Sequence, residues 1–187
     1  MAVTTLDPVT ALIVVDLQKG IVALPTAQPV AEVIGQNRKL LDAFRAHQLP
    51  VVLVNVTAAA PGRTEAPRFD TSALPASWTD LIPELDQQPG DILVTKRSWG
   101  AFANTDLEQR LKALGVTQIV VTGVATSIGV EATARQAYEA GFNVTLASDA
   151  MTDLRPDAHA HSLAQVFPRL GETGTVAEIL ALLPKAA

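Results

Sequence analysis

A chain of 187 residues, 48% hydrophobic but only 4% aromatic, fits one domain whose core is made of Ala, Val, Leu and Ile rather than rings. A net charge of −5 without a basic cluster excludes nucleic acid and anionic membranes as principal partners. The absence of cysteine excludes disulfides, thiolate metal sites and thiol catalysis.

No apolar run reaches the roughly 20 residues that span a bilayer. The opening MAVTTLDPVTALIVVDLQ has no positively charged leader region, so a cytoplasmic protein is expected. Strand-like runs lie at 11–16, 51–56, 91–95, 118–122 and 143–148, with a short sixth at 172–174. They are apolar throughout, as parallel strands covered on both faces are.

Helices are expected between them. Residues 30–47 place Val33, Leu40, Leu41 and Phe44 at helical spacing. Residues 105–114 open on a Thr105…Glu108 capping box and stop before Gly115, and 127–140 stop before Gly141. Residues 156–170 and 176–183 follow, the last opened by Thr175 and Glu178. Alternating strands and helices mean an α/β sandwich with right-handed crossovers. The stretch 57–89 breaks the alternation. It carries Pro61, Pro67, Pro75, Pro83 and Pro89 and reads as a long connection with one short helix near 77–84. Such connections serve as covers over sites or as oligomer contacts. With no linker or repeat, residues 1–187 are read as a single domain.

In open parallel sheets, ligands bind beyond the carboxyl ends of the strands. Asp16 closes the first strand, Lys96 and Arg97 follow the third, and the turn GVATSIG, residues 123–129, follows the fourth at a helix start. Taken singly, Asp16 is also a turn residue, Lys96–Arg97 a solvated pair and Gly129 a plain helix start. A glycine there costs helix stability unless something approaches the backbone closely.

The segments IVVDLQ and GDILVTKRSWGAFANTDLEQRLKALGVTQIVVTGVATSIGVEATARQAYEAGFNVTLASDAMTD resemble the isochorismatase-like, or cysteine hydrolase, superfamily over nearly the whole chain. The resemblance implies a Rossmann-like three-layer α/β/α sandwich with a six-stranded parallel sheet ordered 3-2-1-4-5-6. In that order the first and fourth strands are neighbours, and Asp16, Lys96 and Gly129 converge. It further implies an Asp–Lys–Cys triad, matched by Asp16 and Lys96, with Gly129 at the nucleophile position. Glycine stands there also in isochorismatases proper and the related phenazine-pathway enzyme, which cleave a vinyl ether without a protein nucleophile. Their turn reads Tyr-Ala-His-Ile-Gly-Cys, whereas VATSIGV has Val124 and Thr126 at the Tyr and His positions. The superfamily's cis peptide falls at Val124–Ala125, and its nicotinamidase metal pattern has no histidine to match it here. No cofactor or metal is expected.

On this reading Asp16 is general acid or base and Lys96 its electrostatic partner. Ala125 and Gly129 offer backbone N–H groups to an anion or oxyanion. Gln18, Trp99, Phe102, Val124 and Thr126 line a pocket, although Trp99 and Phe102 serve equally well as packing for the helix at 105–114. Ser127 is a helix cap before it is a nucleophile, although Lys96 could in principle activate it, and Ser98 fares no better. His47 ends a helix, where the dipole favours a cation. His159 and His161 face apart on a helix and cannot share a metal. Asp149 and Asp153 are turn and cap residues. The expected function is hydrolysis of a small anionic metabolite by acid/base water addition of the vinyl-ether type, in a homo-oligomer of two or more chains. The alternatives are a non-catalytic binder that kept the pocket, and an assembly protein.

Overall fold

The protein is described from a computed structural model, covering residues 3–66 and 74–183. Strands β1 (Thr10–Val15), β2 (Val51–Val56), β3 (Ile92–Lys96), β4 (Gln118–Val124), β5 (Asn143–Thr152) and β6 (Glu172–Gly174) form one parallel sheet ordered β3-β2-β1-β4-β5-β6. The expected order is the observed one. The chain starts at the centre, winds out to β3, and returns to β4 beside β1. The crevice at that reversal lies at the carboxyl ends of β1 and β4.

Period-two alternation divides β1 between two cores. Leu12 and Val14 pack with Leu40, Leu41 and Phe44 of α2 (Val30–Ala46) and with Val176 and Ile179 of α6 (Val176–Leu182). Ala11, Ile13 and Val15 pack with Leu107 and Leu111 of α3 (Leu107–Ala113) and with Ala134 and Ala137 of α4 (Glu131–Glu139). The helices therefore cover both faces, which gives the three layers. Phe44 is fully buried, and truncating it to Ala would cost ~3–5 kcal/mol.

Both glycine stops form as expected. Gly115 and Gly141 adopt φ of 71° and 87°. The next residues, Val116 and Phe142, donate back to Leu111 and Ala137, which satisfies carbonyls at the ends of α3 and α4. The Thr175–Glu178 capping box on α6 is also present. At α3 it is not: Asp106 is the cap residue, Thr105 donates to the Ala101 carbonyl, and Glu108 pairs with Lys112 one turn on. A nearby lysine and a nearby carbonyl outcompete the reciprocal cap.

Other boundaries differ for local reasons. β5 runs on to Thr152 through a register shift opposite Val121 and Gly123, so Asp149 lies within the strand rather than in a turn. It still caps a helix, accepting the Val176 N–H at 2.7 Å. The helix expected at 156–170 starts as α5 (Pro156–His161) but loosens into a π-turn at Ser162–Val166 and tightens at Phe167–Arg169, where Pro168 removes a donor. In the long connection, 3-10 turns at Ala76–Thr79 and Pro83–Leu85 replace the single short helix, since Pro83 interrupts it. Pro67 lies outside the described residues. A four-residue helix, α1 (Lys19–Val22), was not expected, because it has no periodic length to show. Among the described residues no helix is long and apolar enough to cross a membrane.

Candidate active site

Asp16 follows the last residue of β1 and takes φ of 53°, a left-handed conformation that aspartate tolerates better than most side chains. Lys96 ends β3, two strands away, and its stem spans that distance out of water: Asp16 is 5% exposed and Lys96 2%. Lys96 Nζ donates to Asp16 Oδ2 at 2.7 Å and to the Ser98 carbonyl at 3.2 Å. Asp16 Oδ1 has no hydrogen-bond partner among the described residues. Burial raises the Asp16 carboxyl to about 6, against the opposing charge and hydrogen bond of Lys96. The pair is thus a buried carboxyl with a raised pKa, hydrogen-bonded by the lysine Nζ.

Gly129 completes the constellation. It sits in a π-turn, Thr126–Val130, that leads into α4. A side-chain carbon built on it would meet Asp16 Oδ2 at 3.2 Å. The Val124–Ala125 peptide is cis. Asp16, Lys96, Trp99, Val124, Ala125 and Gly129, all expected from sequence, line one cavity of about 480 Å³.

The remaining expected site residues lie elsewhere. Phe102 is in the core with Leu107 and Leu111, its ring centroid 5.9 Å from that of Phe142. Gln18 lies beneath the cavity wall. Its amide accepts the Val56 N–H at 2.8 Å and donates to the carbonyls of Val56 and Trp78, imitating a strand where β2 ends. Thr126 is buried against His159, with Oγ1 to Nδ1 2.8 Å. Burial lowers the His159 pKa, and Asp153 opposes this in part. Ser127 is not in the cavity wall, and its N–H donates to Asp153 Oδ2 at 2.7 Å. The Ser127 N–H of the turn is therefore met by the chain's own carboxylate, and Asp153 also accepts the Arg155 N–H at 3.0 Å. His47 closes α2 with Nδ1 2.7 Å from the Ala43 carbonyl.

The walls hold residues that sequence reasoning did not single out, Ile21, Leu24, Val56, Ala58, Ala59, Trp78, Ile128 and Leu154, together with Ser98, which it weighed only as a nucleophile. Trp78 carried a readable signal, since a tryptophan in a polar, proline-rich connection needs something apolar to cover. Its ring lies flat against Gly20, where an added Cβ would fall 2.0 Å from ring atoms. Among the described residues Lys96 is the basic side chain in the lining, and its Nζ is engaged by Asp16 Oδ2 and the Ser98 carbonyl. Among the described residues no group of three His, Asp or Glu side chains is placed to hold a metal.

Residues 10–178 match the family model for the isochorismatase domain. The isochorismatase family protein YwoC of Bacillus subtilis is 40% identical over 177 residues, covering 91% of this chain and 92% of its own. The ureidoacrylate amidohydrolase RutB of Stutzerimonas stutzeri is 28% identical, covering 95% of this chain and 85% of its own. A solved isochorismatase family protein from Burkholderia thailandensis superposes with a TM-score of 0.91 at 43% identity, covering 96% of this chain and 97% of that one. The matched domain, the sheet order and the convergence at the ends of β1 and β4 agree, and the chain belongs to the isochorismatase family.

Proposed function

We propose that the chain is a hydrolase that adds water to a small metabolite by acid/base catalysis, without a covalent enzyme intermediate. The observation that carries this reading is Asp16: a buried carboxyl raised to about 6 that lines an apolar cavity and has one oxygen without a partner among the described residues. Relatives named for hydrolysis, such as the ureidoacrylate amidohydrolases, support the reaction class. With no cysteine in the chain, a thioester cannot form, and Gly129 leaves space where a side chain would crowd the acid.

For a vinyl ether the steps balance simply. Protonated Asp16 gives its proton to the terminal vinyl carbon, leaving an oxocarbenium ion and a carboxylate. Lys96 stabilises that carboxylate. Water adds to the cation and returns a proton to Asp16, and the hemiketal collapses to an alcohol and a ketone. The lining modifies the expected substrate. Lys96 Nζ is already engaged by Asp16 and the Ser98 carbonyl, so the substrate is read as mainly apolar with its polarity at the reacting bond. The competing reading is a binder that uses the same cavity without turnover.

The test is turnover by the purified protein and by Asp16→Asn of isochorismate, other vinyl ethers, nicotinamide and carbamoyl compounds. Vinyl-ether cleavage lost in the variant supports the acid mechanism. Amide cleavage that survives the variant removes Asp16 from the chemistry. Binding of these compounds without turnover favours the binder.

A further inference from the structure

Two buried side-chain polar atoms have no hydrogen-bond partner among the described residues: Asp16 Oδ1 and Ser98 Oγ. Both residues line the same cavity. Buried hydroxyls elsewhere are satisfied, as where Thr122 donates to Asn37, Thr133 to the Gly129 carbonyl and Ser162 to Glu131. An unmade bond on a buried polar group is costly, so such atoms are rare and each calls for a reason. Here the backbone gives part of it. The Ser98 carbonyl accepts from Lys96 Nζ, which ties residue 98 to the acid pair and holds its hydroxyl nearby.

We infer that Ser98 is a substrate-binding residue whose hydroxyl takes the polar end of the bound molecule together with Asp16 Oδ1. A hydroxyl donates and accepts, so it serves that end whether Asp16 is protonated or not. The ligand class is a small molecule with one carbonyl, carboxamide or hydroxyl group on an apolar body, because Ile21, Leu24, Val56, Trp78 and Leu154 form much of the remaining wall. This inference rests on the cavity being the substrate site.

The chain's two tryptophans, Trp78 and Trp99, both line the cavity, so intrinsic fluorescence reports on its occupancy. The probes are benzamide, which carries a polar end, and toluene, which does not. Both are titrated into the wild type and Ser98→Ala. The expected result is quenching in the wild type, benzamide weakened about threefold to tenfold by the substitution, toluene changed by less than about twofold, and a melting temperature that does not fall. Unchanged benzamide affinity overturns the inference. So do equal losses for both probes, a lowered melting temperature, or no quenching of the wild type. Failure of the acid mechanism is separable: Asp16-independent turnover with the benzamide loss intact would sink that mechanism and leave Ser98 standing.

Discussion

A carbon added at Gly129 would lie 3.2 Å from Asp16 Oδ2 and 3.0 Å from Val15 Cγ1. The space beside the carboxyl therefore exists because residue 129 has no side chain. Gly129→Ala is expected to lower turnover at least about tenfold while changing unfolding free energy by less than about 2 kcal/mol, since better helix propensity offsets crowding. Steady-state kinetics beside urea melts check this. Full activity would show that the space is not used.

The pH profile follows from the same acid. The proposed mechanism needs Asp16 protonated, and burial raises its pKa to about 6. The expected kcat/KM is highest below that value and falls about tenfold per pH unit above it. A profile that rises through pH 6 would make Asp16 the base instead.

Stability is predicted with the opposite partner in view. The folded pKa of Asp16 lies above its ordinary 3.8, so its contribution is fully present below pH 3.8 and is lost as pH rises through about 6. The difference is about 3 kcal/mol. Measured by urea unfolding, the wild type should lose roughly that much relative to the double variant Asp16→Leu/Lys96→Met between pH 4 and pH 8. Lys96→Met alone should cost about 3–5 kcal/mol at pH 8, because it strands a buried charge, and adding Asp16→Leu should recover most of it. Equal pH slopes for wild type and double variant would contradict the assignment.

Gly20→Ala tests the wall. Its methyl would overlap the Trp78 ring, which must move. A shifted tryptophan emission spectrum and a loss of about 1–3 kcal/mol are expected, with the Asp16–Lys96 pair untouched. An unaltered spectrum would mean that the ring is not seated on the glycine.

What could be read from sequence follows physical lines. The positions of Asp16 and Lys96 were legible because uninterrupted apolar strands mark their own ends; each has a bland use taken singly, and it is the family resemblance that brings them together. Gly115 and Gly141 were legible because left-handed stops favour glycine. Phe102 is open in the sequence between pocket and helix packing, and the structure takes the packing side, because spacing alone cannot say whether a ring near a site faces the cavity or the core. Trp78, Ala58 and Ala59 come from a connection without periodicity, and Ile21 from a helix of one turn. Their position is set by tertiary bonds such as Gln18 to the Trp78 carbonyl, which no local pattern encodes. The extension of β5 depends on a register shift against its neighbour, and that too is invisible in one strand's composition.

Lys96 belongs to the edge strand, in register with Val56 of β2, while Val54 of β2 pairs with Val15 of β1. The ammonium reaches Asp16 only when both pairings hold. A one-residue slip of β3 would turn Lys96 to the opposite face of the sheet. The carboxylate would then be left in the interior without its counter-charge, a penalty of several kcal/mol. The ion pair is thus an assembly gauge: it makes misaligned docking of the outermost strand unfavourable, and it links the correctness of the sheet's edge to the pairing at its centre.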